Sequence, residues 1–279
     1  MSLKLKQKIH AVAALVLFFG IVQGCKKVPI VYSTTDAVNI VGYLDEHTDS
    51  FSLFREMLAV TGYDGFLSAY GHYTLFLPTN TAVQTYLKQN GKDSVSQLNV
   101  DSLKSLLKFH LLTDTVYTIS FTDGKLPYLT MYGQYLVTGA ANINGVSYLT
   151  VNRTANVLEG NLREGNGVIH VIDHVLQPAV QTVAQMINSN TRYSIFTQAL
   201  QATGLYDSLN VLPAANKDST RAWVTLLAQS DSLFNANGIN SFADLKAKYC
   251  NTGNPLNPAD SLHLFVDYHI LYGANYLAD

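Results

Sequence analysis

The residues of this chain able to do chemistry are its histidines, its two cysteines and a set of aspartates that precede hydroxyls. His170 and His174 lie in Val168 to Val175, a run rich in β-branched residues that reads as a strand. Residues four apart on a strand share a face but stand ~13 Å apart. A single metal ion holds its nitrogen ligands at about 2 Å, so this pair cannot grip one. Asp173 falls on the opposite face. All three residues therefore read as structural, and no metal site is expected. His110 and His269 each follow apolar residues at helical spacing: Leu103, Leu106, Leu107 in one case, Leu262, Phe265, Val266 in the other. A histidine on such a stripe is expected to be a core residue bonded to backbone.

No G-x-S-x-G, H-E-x-x-H, C-x-x-C or phosphate loop occurs. No catalytic residue and no cofactor are expected, and the chain reads as non-enzymatic. Aspartate followed by Ser or Thr and a mostly aliphatic residue recurs, at Ser94, Ser102, Thr115, Ser208, Ser232 and Ser261, with Ser219 a looser case. This resembles a short bacterial O-glycosylation sequon. Helix capping asks for the same pattern, and Asp101, Asp231 and Asp260 each precede a helical run.

The address is written at the start. Lys4, Lys6 and Lys8 precede an apolar run from Ala11 to Val22, too short to span ~30 Å of hydrocarbon as a helix. Val22-Gln23-Gly24-Cys25 then resembles a bacterial lipobox, which makes Cys25 the expected lipidation site of a signal peptide over residues 1–25. Residues 26–35 read as a tether. Cys250 is left as a lone thiol. With the acyl chains as the only membrane attachment, a lipid-anchored protein of the bacterial cell envelope is expected, in the outer membrane. A net charge of −2 and 14% charged residues argue against nucleic acid as a partner.

The elements that must position these residues come in two copies. Leu53 to Gly62 returns as Ile195 to Gly204, each a helical pattern ending in glycine, with Asp49 or Ser50 and then Ser194 as expected N-caps. Tyr73 to Asn80 returns as Trp223 to Ser230, with Thr74 matched to Thr225. Asp101 and Asp260 start the helices that lead to His110 and His269, each as the expected N-cap. After His110 come strands, with Asn144-Gly145 as a two-residue hairpin turn. From His110 to Pro178 is 68 residues, whereas 10 follow His269.

Thr74 to Asn80, Phe109-His110 with Tyr268-His269, and Gly167 to Pro178 resemble, in order, the three conserved boxes of the fasciclin (FAS1) domain family. The resemblance implies an α+β fold, a β-sandwich wedge with packed helices, over residues 36–178. It implies an incomplete second copy over 181–279, so that the sequence is a fragment or needs a partner to complete it. It also implies that Asn80, His110, Asp173 and His269 hold the fold, although the Tyr-His pair has been proposed as an integrin contact in animal relatives. Adhesion or protein–protein binding at the cell envelope is the expected function. A glycan-binding accessory role in polysaccharide uptake is the alternative, with Tyr128, Tyr132, Tyr135 and Tyr148 near the hairpin able to stack on sugars.

Overall fold

Helix α1 (Ile40–Glu46) starts at Asn39, whose side chain caps Gly42 N, and buries Ile40, Val41 and Leu44. Helix α2 (Thr48–Thr61) buries Phe51, Phe54, Met57 and Leu58, one face of a 3.6-residue repeat. It stops where Gly62 turns left-handed, φ 73°. Its N-cap is His47, so the caps expected at Asp49 and Ser50 are displaced; Asp49 lies instead in the first turn, where the helix dipole favours its charge. After α3 (Asp64–Ser68) comes β1 (Tyr73–Pro78), buried along its whole length. Thr79 caps α4 (Asn80–Gln89). Helix α5 (Val100–Phe109) is capped by Asn99, not by Asp101, because the Asn99 Oδ1 accepts from Asp101 N and Ser102 N.

Five strands follow the short β2 (Leu111–Leu112): β3 (Gly124–Leu129), β4 (Tyr135–Ile143), β5 (Val146–Val151), β6 (Ala155–Glu164) and β7 (Gly167–Ile172). The β4–β5 turn has Asn144 and Gly145 at φ 52° and 84°, the geometry a two-residue hairpin demands. The seven strands lie in the order β2-β1-β7-β6-β5-β4-β3, with β1 and β7 parallel. An isolated bridge between Leu112 and Thr130 joins the sheet's two ends and curls it. The outside of the curl packs on α1, α2, α4 and α5, with Ile169 and Val171 of β7 in that core. The inside is filled by Phe76, Leu126, Leu136, Val151, Ile172 and Leu176. The fold is thus an α+β wedge, a curled sheet with helices along it.

The rest of the chain is mostly helical: α6 (Val183–Asn188), α7 (Ser194–Ala202), α8 (Leu205–Leu209), β8 (Val224–Leu226), α9 (Asp231–Ala236), α10 (Phe242–Tyr249), α11 (Ser261–Asp267) and β9 (Ile270–Tyr272). Its own core joins Ile195, Phe196, Leu200, Phe234, Leu262 and Val266. Ser194 opens α7 without capping it, and α9 is capped by Ser230, so the caps expected at Ser194 and Asp231 also shift by one residue. Asp260 does cap α11. These features belong to a computed structural model that describes residues 38–212 and 223–276, all within one compact unit. No helix among the described residues is long and apolar enough to cross a membrane.

Candidate functional site

His110 ends α5 and is fully buried. Its Nδ1 donates to Leu106 O at 2.8 Å, which leaves Nε2 unprotonated to accept Leu176 N at 3.0 Å. Burial pushes its pKa down to about 4, against the smaller opposing effect of the Leu106 bond. His269 repeats the arrangement: Nδ1 donates to Phe265 O at 2.7 Å, while Nε2 accepts from Gln229 Nε2 at 3.0 Å. A glutamine side chain thus does for His269 what a backbone N–H does for His110. Phe54 meets the His110 ring edge-on at 5.9 Å, and Phe196 meets His269 likewise at 5.2 Å.

The correspondence extends to bonds whose partners the sequence does not name. Thr74 Oγ1 donates to Asp114 O and accepts Val116 N; Thr225 Oγ1 donates to Gly273 O and accepts Asn275 N. Phe76 N donates to His110 O, and Leu227 N to His269 O. Strands β1 and β2 pair with Thr74 opposite Leu112; β8 and β9 pair with Thr225 opposite Leu271. Asn80 accepts Leu53 N and donates to Asp49 O and Ser52 Oγ, tying α4 to the start of α2. Asp231 does the same for α7, accepting from Ser194 N, Ser194 Oγ and Ile195 N. In this register Ser230-Asp231 stands where the first copy has Thr79-Asn80. A cap residue followed by a polar side chain was the signal for it.

Strand β7 ends at Ile172, so Asp173 and His174 are not strand residues on opposite faces. They bond each other, His174 Nδ1 to Asp173 Oδ1 at 2.7 Å, and Asp173 also accepts from Asn156 N and Nδ2. Desolvation would raise the Asp173 carboxyl, but these bonds outweigh it and hold the group below its ordinary value. His170 is buried apart from them, donating from Nε2 to Val116 O at 2.8 Å. The residue that sequence reasoning passed over is Asn166. Its Oδ1 accepts Ile40 N, and its Nδ2 donates to Leu67 O and Ala69 O, joining α1, α3 and β7. No group of three or more His, Cys, Asp or Glu among the described residues could hold a metal ion.

Cys250 donates to the fully buried Asp260, which also accepts from Thr252 N and Oγ1 and from Leu262 N. Desolvation would raise the Asp260 carboxyl; these donors hold it down at about 2. Of the sequon hydroxyls, Ser102, Ser208 and Ser232 are exposed, and Ser94, Thr115 and Ser261 are half-buried. Ser219 and Cys25 lie outside the described residues. The four tyrosines do not form one cluster: Tyr132 packs on Phe109, and Tyr135 packs on Trp223 at 5.2 Å. Tyr135 and Trp223 line a cleft of about 880 Å³ together with side chains of α6 and β8.

The fasciclin domain family model matches residues 49–178, the segment that carries the curled sheet and its helices. Those residues belong to the fasciclin (FAS1) domain family. Human periostin is 30% identical over 165 residues, 59% of this chain and 19% of periostin. Transforming growth factor-beta-induced protein ig-h3 of Sus scrofa is 27% identical over 135 residues, 48% of this chain and 19% of that protein. The chain thus spans about a fifth of these animal relatives. Protein sll1483 of Synechocystis is 25% identical over 153 residues, 55% of this chain and 81% of that protein. Among solved structures, a FAS1 domain pair from the insect cell adhesion molecule fasciclin I aligns with a TM-score of 0.37 at 17% identity, covering 80% of this chain and 74% of that one.

Proposed function

We propose that the protein is a bacterial cell-envelope lipoprotein, anchored through Cys25, that acts by binding another protein and not by catalysis. The observation that carries this reading is the fasciclin domain at 49–178, a module known from adhesion-related proteins. Its motif residues give no competing chemistry: His110 and Asn80 spend their polar atoms on the fold. Residues 36–178 form the first domain and 181–279 a second, fasciclin-like copy. The test takes the chain from Lys26 onward as bait against solubilised envelope proteins, with a glycan array run beside it. A reproducible protein partner and a silent array are expected. Saturable sugar binding without a protein partner would overturn the reading in favour of a glycan-binding accessory role. The anchor has its own check: a palmitate analogue should label the native protein and leave Cys25→Ala unlabelled, and equal labelling of both would remove the anchor.

A further inference from the structure

Four asparagines of this chain precede a glycine: Asn90, Asn144, Asn166 and Asn237. Such a pair carries a reaction of its own. The glycine N attacks the asparagine Cγ, a C–N bond forms and the Cγ–Nδ2 bond breaks. Solvent carries the proton of the attacking N–H to the departing nitrogen, which leaves as ammonia. Water then opens the cyclic imide at either carbonyl and gives aspartate or isoaspartate. Glycine favours the attack because no Cβ shields its nitrogen. Both the attacking N–H and the side-chain amide must be free to move together, so hydrogen bonds to either one slow the step.

The fold holds three of the four pairs. Asn166 is buried, its amide bonded to Ile40 N, Leu67 O and Ala69 O, and Gly167 lies against the backbone of Tyr73. Asn90 and Asn237 close α4 and α9. Their Nδ2 groups donate to Tyr86 O and Leu233 O, while Gly91 N and Gly238 N donate to Lys88 O and Asn235 O. Leaving amide and attacking nitrogen are thus both tied to backbone. Asn144 is different. It is exposed at the tip of the β4–β5 hairpin, where the turn geometry itself demands Asn-Gly. Its side chain makes no hydrogen bond among the described residues, and the space around Gly145 is open. Gly145 N is held only by the Oδ1 of exposed Asn142, at 3.1 Å. Conversion there would also change the surface. Residues 126–152 contain no Asp, Glu, Lys, Arg or His, and Ile143 and Val146 beside the turn are 43% and 52% exposed.

We propose that Asn144 is a site of spontaneous deamidation, singled out from the four Asn-Gly pairs by the fold, with Asn142 restraining the attacking nitrogen. The modification goes beyond the protein-binding reading and needs no partner. It places the first charge on the neutral hairpin. As isoaspartate it also adds a carbon to the main chain, so that a two-residue turn no longer closes the Ile143–Val146 pair. The test ages the chain from Lys26 onward at mildly alkaline pH, in buffer and in urea, and follows each asparagine by tryptic peptide mass. The peptide 126–153, bounded by Lys125 and Arg153, carries Asn144. In buffer Asn144 should convert about tenfold faster than Asn90, Asn166 or Asn237, each of which must first break at least two hydrogen bonds. In urea the four rates should converge. Asn142→Ala should speed the conversion of Asn144 roughly threefold in buffer and leave it unchanged in urea. In the converted chain the Val146 amide should exchange hydrogen faster than in the fresh one. Equal rates at the four sites in buffer, a faster site than Asn144, or a ranking that survives urea would overturn the proposal. An unchanged rate in Asn142→Ala would overturn the restraint, and unchanged exchange at Val146 the loss of the turn.

Discussion

A neutral His110 is a condition of the fold at residue scale. Its Nε2 must accept Leu176 N, and a proton there would set two donors against each other in a buried site. The unfolded histidine titrates near its ordinary 6.5, the folded one at about 4. Between those values only the unfolded chain takes the proton, so the contribution is fully present above pH 6.5 and is lost as pH falls toward 4. The loss amounts to about 3 kcal/mol. The His170 pKa, lowered chiefly by burial, acts in the same direction. Urea midpoints from pH 7.5 to 4 should therefore fall steeply for the native chain. His110→Gln should be less stable at pH 7.5 yet flatter across that range; parallel curves would remove His110 as the cause. That His110 is a core residue was legible in its place on an apolar stripe. Its acceptor role was not, because Leu176 is 66 residues away.

Pairing between β1 and β7 depends, at the scale of the element, on a glycine. A Cβ on Gly167 would run into the carbonyl and backbone of Tyr73, so the two strands could not keep their register. Gly145 is different: its φ of 84° disfavours a side chain, but the space around it is open. Gly145→Ala should cost about 1 kcal/mol, the usual penalty for a left-handed residue. Gly167→Ala should cost several times more, read as thermal unfolding midpoints, and equal costs would deny the close approach. The Asn144-Gly145 hairpin was legible because two residues decide it locally. The cap shifts at α5 and α9 were not, since adjacent polar residues could each cap, and the neighbouring helix draws Asp231 to Ser194 instead.

For the molecule as a whole, the described residues build separate cores, the larger around the curled sheet and a smaller one among α6 to α11. Trp223, the only tryptophan, directly precedes β8 and packs on Tyr135 of β4, so its fluorescence reports on the seating of β8 against the curled sheet, which is lost when the smaller core unfolds. Urea unfolding followed by tryptophan fluorescence should show a lower midpoint than far-ultraviolet circular dichroism at 222 nm, which is weighted over all helices. Coincident curves would mean the two cores unfold as one. Local pattern alone determined the helix stripes, the hairpin turn and the recurrence of residues around His110 and His269, because each rests on neighbours within a few positions. Only the tertiary structure decided that Asn166 links α1, α3 and β7, that Gln229 replaces a backbone donor at His269, and that a cleft opens between α6 and β8 where the first copy has β7. Those depend on which distant segments share an edge, and apolar periodicity records that a surface is to be covered without recording what covers it.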